Sequence, residues 1–249
     1  MPSERKIRLD QLLTERGLAP SRSRARDLIK RGAVRAGGKV VTRPGLDVAE
    51  DAELAVEEAW SGYVSRGALK LAAALSAFGF DPGGRIALDI GASTGGFTQL
   101  LLREGATRVY AVDVGHDQLH VGLRKDERVV PLEETDARTL DRRLVPDPIG
   151  AITADVSFIS LTKVLPAAFA LARPGAWAVL LVKPQFEAGR EAVGKGGIVR
   201  SETARAEALA SVERFIAAQP GWHDIRTMLS PITGQSGNVE YLLGARHAD

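Results

Sequence analysis

The chain has no cysteine among its 249 residues, which excludes disulfides, thiolate nucleophiles and cysteine-ligated zinc. No apolar run approaches the roughly 18 residues that span a bilayer. Met1 to Asp10 is charged where a secretory leader would be apolar. Aromatic residues amount to only 5%, and none precedes Trp60. The N-terminal part therefore cannot bind a ligand by stacking. Together these absences lead to the expectation of a cytoplasmic globular protein with no membrane partner.

Charge is present but unevenly spread. Residues 1–43 hold twelve Lys/Arg and four Asp/Glu, a balance of +8, and the remainder carries −6 to give the net +2. A small basic unit attached to a larger acidic one reads as an electrostatic anchor for a polyanion. Leu9, Leu12 and Leu13 share one face of a short helix stopped by Gly17, and Ala25, Leu28 and Ile29 mark a second helix ending before Gly32. Residues 34–41 read as two short strands around Gly37-Gly38. Arg5, Lys6, Arg22, Arg24, Arg26, Lys30, Arg31 and Arg35 are the candidate RNA-binding residues, because so many cations must line an exposed face and guanidinium groups suit phosphate. Without aromatics, such a face follows backbone shape more than base sequence.

The stretch from Ala87 to Thr98 organises the rest. An apolar run ends at Ile90, glycines follow, and an apolar helical pattern resumes, which predicts strand, tight turn and helix N-terminus. Three chemistries compete for that turn. Residues 91–95 fit G-x-S-x-G, a hydrolase elbow with Ser93 as nucleophile. The dinucleotide fingerprint fails, because the spacing is G-x-x-x-G-G. S-adenosylmethionine (AdoMet) fits best, because Asp113 closes the next apolar strand, where a carboxylate accepts both ribose hydroxyls of a nucleoside. A hydrolase has no use for that residue.

From Arg66 onward strands and helices alternate, with strands near 108–113, 128–132, 150–155 and 176–183 and a closing antiparallel pair at 224–229 and 239–243. This predicts an α/β, Rossmann-like, doubly wound and mostly parallel sheet beside a small α+β N-terminal domain. The expected boundaries are 1–59 for the basic domain, 60–65 for a linker and 66–249 for the sheet domain. Ligands of such sheets sit beyond the carboxyl ends of the strands. There lie Asp89, the 91–96 loop, Asp113, Asp136, Asp155 and Lys183. A catalytic site and a structural ion pair are equally compatible with the last two.

The N-terminal pattern, R-L-D-Q-L-L through S-R-S-R-A-R-D-L-I-K-R-G to the Gly-Gly hairpin, resembles the S-four (alpha-L) RNA-binding domain. Tyr63 to Leu71, Asp89 to Phe97, Asp155 to Leu161, Val182 to Glu187 and Gly237 to Tyr241 resemble the TlyA (hemolysin A) family of FtsJ-like rRNA ribose 2′-O-methyltransferases. The resemblance implies a Lys–Asp–Lys–Glu tetrad of Lys70, Asp155, Lys183 and Glu240. It implies AdoMet held by Asp89, Gly91, Ala92, Ser93, Gly95, Gly96, Phe97, Asp113, Asp136 and Asp155, and ribosomal RNA or ribosomal subunits as partner, with a cytidine as target. Asp136 stands where the family usually has asparagine. A lysine acts as base only when desolvation and a second cation favour its neutral form. Lys183 is the candidate base and Lys70 the neighbouring cation.

Three other signals carry less. Residues 189–195 fit G-x-x-x-x-G-K, but Gly196 stands in place of the required Ser or Thr, so 189–200 reads as a mobile loop near substrate. His116 and His120 have zinc-helix spacing but no evident third ligand. No metal is expected, because methyl transfer from a sulfonium disperses charge. The rival functions are an RNA-binding or ribosome-assembly factor that keeps only the fold, and a membrane-active hemolysin, which no cationic amphipathic segment supports.

Overall fold

Short polar segments punctuated by glycine build the N-terminal part of the chain. The computed structural model describes residues 5–19, 21–30, 32–56, 62–234 and 236–249, apart from the side chains of Arg24 and Asp27. It divides into two units, Met1–Arg66 and Gly67–Asp249. In the first, β1 (Lys6–Arg8) pairs antiparallel with β4 (Asp47–Ala49), and β2 (Val34–Ala36) lies between β3 (Lys39–Val41) and β5 (Leu54–Val56). Helix α1 (Leu9–Glu15) packs on α2 (Arg22–Lys30) through Leu9, Leu12, Leu13, Ala25, Leu28 and Ile29, all buried. Gly37 and Gly38 both have positive φ, at 55° and 75°, as a two-residue hairpin turn requires. Part of the expected 60–65 linker, and Arg31, lie outside the described residues.

The second unit begins with α3 (Gly67–Phe78), followed by β6 (Ile86–Ile90), α4 (Gly96–Arg103), β7 (Arg108–Val112), α5 (Val121–Arg124) and β8 (Val129–Leu132). After these come β9 (Ile149–Ala154), α6 (Leu161–Phe169), β10 (Ala172–Val182), α7 (Pro184–Glu187), α8 (Glu202–Ala217), β11 (Trp222–Leu229) and β12 (Tyr241–His247). The sheet order is β11-β12-β10-β9-β6-β7-β8. The five strands from β8 to β10 are parallel, and β12 runs antiparallel between β10 and β11. The expected closing pair is thus present, with its second strand inserted inside its first.

Alternation along each strand supplies two apolar faces. Leu88, Ile90, Ile152, Leu180, Val182 and Leu243 share one core with Leu161 and Leu165 of α6 and Val212 and Ile216 of α8. Gly244, one residue on from Leu243, faces the Phe78 ring of α3 instead; a Cβ there would lie 2.6 Å from that ring. Helices α3 and α4 pack together on this opposite side. Covering both faces explains why the central strands are apolar throughout.

Candidate active site

Strand ends bring the polar residues together. Asp155 follows β9 and Lys183 follows β10, two neighbouring parallel strands. Val182 pairs with Tyr241, so the antiparallel register sets Glu240 opposite Lys183 at the same edge. The first turn of α3 adds Lys70. Its ammonium lies 2.5 Å from Glu240 Oε2, with both side chains buried. Lys183 Nζ lies 2.5 Å from Asp155 Oδ1 and donates to Ser157 Oγ at 3.0 Å. The Lys183–Asp155 contact is off the hydrogen-bond direction, which leaves Asp155 Oδ1 buried with charge pairing but no hydrogen-bond donor. The four tetrad residues therefore form two lysine–carboxylate pairs on three adjoining strand ends and one helix start.

The glycine loop sits beside them. Gly91 and Ala92 both donate backbone N–H to Val112 O, at 2.8 and 3.0 Å. Gly91 has φ +77°, and a Cβ there would stand 2.4 Å from Asp155 O. Its small size is needed so that the end of β9 can cross the loop. Gly95 opens α4 at φ +93°, and a Cβ would meet Leu123 at 2.3 Å. Ser93 is exposed, with φ 48°. Ala92, Gly95, Gly96 and Phe97 are buried.

Asp113 is half-buried at the rim, where it accepts N–H from Ser93 at 2.8 Å and from Gly115 at 2.7 Å. Those two bonds fix its plane and leave further lone pairs for a ligand's hydroxyls. A carboxylate acceptor so placed fits the ribose hydroxyls of a nucleoside. Asp136 caps a short 3-10 turn and is held by Arg138, whose Nη2 lies 2.5 Å away. That guanidinium keeps the Asp136 carboxyl below the usual carboxylate range.

Asp89 is placed differently from the others. It is wholly buried, accepting from Thr98 Oγ1 at 2.6 Å and Thr153 Oγ1 at 2.8 Å. Burial pushes its pKa up to about 6 against the pull of the two threonines, with the Asp155 charge adding to the rise. It pins β6, α4 and β9 together under the loop.

Three groups near the site were not among the sequence candidates. Phe158 is 92% exposed at φ +65°, a conformation unfavourable for a bulky side chain, and its ring lies 5.1 Å from that of Phe186. It is adjacent in sequence to Ser157, the Lys183 partner. Glu187 accepts from Ser160 Oγ at 2.5 Å and Leu161 N–H at 2.8 Å, tying the 157–160 segment to the chain after Lys183, and burial raises its pKa. Asn238, 2% exposed, accepts from Val199 N–H at 3.0 Å and donates to Gly197 O at 2.8 Å. The 189–200 loop is therefore clasped to the segment that leads into Glu240. All three lie in segments that resemble the family, but none ends an apolar run, the signal that marked the strand-end candidates.

Among the described residues, His116, Asp117 and Glu133 are close enough to share a cation. Glu133 already accepts from the N–H groups of Asp117, Gln118 and Leu119 and from Arg124, so the group works as a loop clip. Among the basic candidates, Arg5 pairs with Glu50 at 3.3 Å, Arg35 donates to Gly38 O, Lys6 and Lys30 are exposed, and Arg22 and Arg26 approach Asp10.

Comparison with known proteins places this geometry. The model of the FtsJ-like methyltransferase family matches residues 63–247, and that of the S4 domain matches residues 7–54. The 16S/23S rRNA (cytidine-2′-O)-methyltransferase TlyA of Mycobacterium tuberculosis is 47% identical, over 97% of this chain and 90% of that one. Hemolysin A of Brachyspira hyodysenteriae is 42% identical over 95% of this chain and 98% of its own. A solved structure of a hemolysin-named protein from Streptococcus thermophilus superposes with a TM-score of 0.76 at 39% identity, covering 100% of this chain and 90% of that one. The chain belongs to the FtsJ-like methyltransferase family, in its TlyA branch with an N-terminal S4 domain.

Proposed function

We propose that this protein transfers a methyl group from AdoMet to the ribose 2′-hydroxyl of a cytidine in ribosomal RNA. The observation that carries the reading is the pair of lysine–carboxylate contacts, Lys70–Glu240 and Lys183–Asp155, beside a glycine loop whose rim bears Asp113. The 47% identity to a TlyA rRNA cytidine-2′-O-methyltransferase across nearly the whole chain supports the substrate.

AdoMet, when bound, supplies an electrophilic methyl group on a sulfonium. The 91–97 loop, Asp113 and Asp136 are the residues that would hold it, with Asp89 bracing the loop from beneath. A ribose hydroxyl is a weak nucleophile until its proton has somewhere to go. Lys183 in its neutral amine form takes that proton at Nζ and becomes an ammonium, which Asp155 then holds, and Lys70 with Glu240 holds the hydroxyl in line. Phe158 offers an apolar face to a base beside the reacting ribose.

In this reading residues 1–59 grip RNA, 60–65 connect, and 66–249 carry out the transfer, in the cytoplasm where ribosomes are. No helix among the described residues is long and apolar enough to cross a membrane. The test is to map 2′-O-methyl marks on ribosomes with and without the protein, and to follow labelled methyl transfer from AdoMet to rRNA in vitro. A missing mark in its absence, restored by the wild-type chain, is the expected result. RNA and AdoMet binding without any transfer would leave only the binding-factor reading.

A further inference from the structure

Asp10 is the only wholly buried carboxylate among the described residues of the N-terminal unit. It sits in the first turn of α1, with its backbone N–H bonded to Pro44 O at 3.1 Å. Three guanidinium groups converge on it. Arg8 donates from Nε to Oδ1 at 3.1 Å and from Nη2 to Oδ2 at 3.0 Å, a two-bond fork. Arg22 lies 3.4 Å from each oxygen, through Nη2 and Nε, and Arg26 Nε lies 3.5 Å from Oδ2. The Arg8 bonds, followed by those of Arg22, hold the Asp10 carboxyl below the usual range despite its burial.

One partner would suffice for folding. A buried carboxylate needs a well-aligned cation, and the Arg8 fork provides it. Gly45 makes room for that fork, since a Cβ there would stand 3.2 Å from both terminal nitrogens of Arg8. Arg22 and Arg26 add two further charges, one helical turn apart on α2, that repel Arg8 and each other. The side chains of Arg8, Arg22 and Arg26 remain 43%, 54% and 59% exposed, so their charge faces solvent. With Asp47, which stands opposite Arg8 across the β1–β4 pair, two negative charges meet three positive ones, which leaves the cluster with an excess of positive charge, fixed in place and open on its outer side. An anion arriving there relieves the repulsion. Planar guanidinium groups held at fixed angles suit phosphate oxygens.

We infer that Arg8, Arg22 and Arg26 form a phosphate-binding cluster for the RNA backbone, and that Asp10 is its positioning residue. The inference rests on the proposal that this unit grips RNA. It adds Arg8 and assigns a role in anion binding to an acid. That role has a signature opposite to bulk charge. Asp10→Asn makes the protein more positive, so net charge alone predicts equal or tighter RNA binding. Loss of positioning predicts weaker binding.

The test uses full-length protein and a fluorescein-labelled RNA hairpin, titrated by anisotropy between about 50 and 200 mM salt. Asp10→Asn is expected to lower affinity about tenfold and to flatten the log–log salt dependence by about 0.7–0.9 for each phosphate that is no longer neutralised. The double variant Arg22→Lys/Arg26→Lys keeps every charge at exposed positions but loses the two planar guanidinium groups, and is expected to weaken binding in the same direction. AdoMet calorimetry on each variant checks that the other unit is intact. Should Asp10→Asn fail to fold, as judged by its melting curve, the lysine pair decides alone. Wild-type affinity and salt slope in the lysine pair, or tighter binding by folded Asp10→Asn, overturns the inference. Absence of RNA binding by the wild-type chain would instead bring down the proposed function on which it rests.

Discussion

Lys183 can be tested by substitutions that separate charge from proton transfer. Lys183→Ala is expected to slow methyl transfer about 10²–10⁴-fold, the range for a positioned acid–base group. Lys183→Arg should be nearly as slow, because a guanidinium keeps the charge facing Asp155 but does not give up its proton. Single-turnover rates at saturating AdoMet read this directly, and wild-type-like turnover by Lys183→Arg would move the base elsewhere. Asp89 makes a separate prediction, in stability. Its pKa of about 6 stands above the ordinary value of 3.8, so between these pH values the folded chain keeps a proton that the unfolded chain loses. Its contribution therefore falls as pH rises through that window, by about 3 kcal/mol in all. Asp89→Asn lacks the effect, so its urea-unfolding free energy minus that of wild type should rise by about that amount from pH 4 to 7. Carboxylates held low, such as Asp147 and Asp224, act in the reverse sense and cancel in the difference. A flat difference would remove the account of Asp89. Asp113, Asp155 and Lys183 were legible in the sequence because each ends an apolar run. Phe158 was not, because one aromatic in a loop has no pattern, and its exposure is set by a backbone angle.

At the scale of elements, the site depends on strand ends staying in register. Gly91 is where β6, the loop and the end of β9 meet. Gly91→Ala would put a methyl 2.4 Å from Asp155 O and force an L-residue to φ +77°. The left-handed conformation alone costs about 1–2 kcal/mol, and the clash is with backbone, which cannot rotate away. AdoMet affinity by calorimetry should fall sharply, with Asp155 displaced from Lys183 and transfer lost as well. Unaltered affinity would show that the loop tolerates a shifted β9. Asn238→Ala should unfasten the 194–199 segment from the approach to Glu240, giving faster amide exchange at Val199 while AdoMet affinity stays within a few-fold; unchanged exchange there would remove the clasp. Five parallel strands were legible, since each is a short apolar run between helical patterns, buried in the four inner strands and only partly so in the edge strand β8. The place of β12 was not, because an antiparallel insertion is decided by long-range pairing with β10 and β11. Strands β1, β4 and β5, of three residues each, are too short for any period to show.

Taken whole, the molecule separates charge and chemistry along its length. The tetrad and the glycine loop belong to the unit Gly67–Asp249, while the +8 balance belongs to residues 1–43. The second unit has its own two-faced core, with Leu88, Ile152 and Leu180 wholly buried, and its seven-stranded sheet, among the described residues, is built from its own strands. A chain of residues 60–249 is therefore expected to fold and to bind AdoMet with near wild-type affinity. It should lose most of its affinity for ribosomal subunits, because the basic cluster of residues 1–43 is gone and what remains is balanced, 21 Lys/Arg against 21 Asp/Glu, with no net attraction for a polyanion. Binding by the intact protein should weaken steeply with salt, by about 0.7–0.9 log units per log unit of salt for each phosphate neutralised. The truncated chain should show a much shallower slope, since the clustered cations of residues 1–43 that would displace counterions are gone. Methyl transfer by the fragment should then fail mainly through a raised KM for RNA and recover in part at low salt, where the remaining basic residues are least screened. Sedimentation with purified subunits across a salt series, paired with AdoMet calorimetry, separates the two units' contributions. Full subunit affinity in the truncated chain, or a salt-independent intact protein, would show that RNA is held by the catalytic unit and that the basic segment serves another purpose.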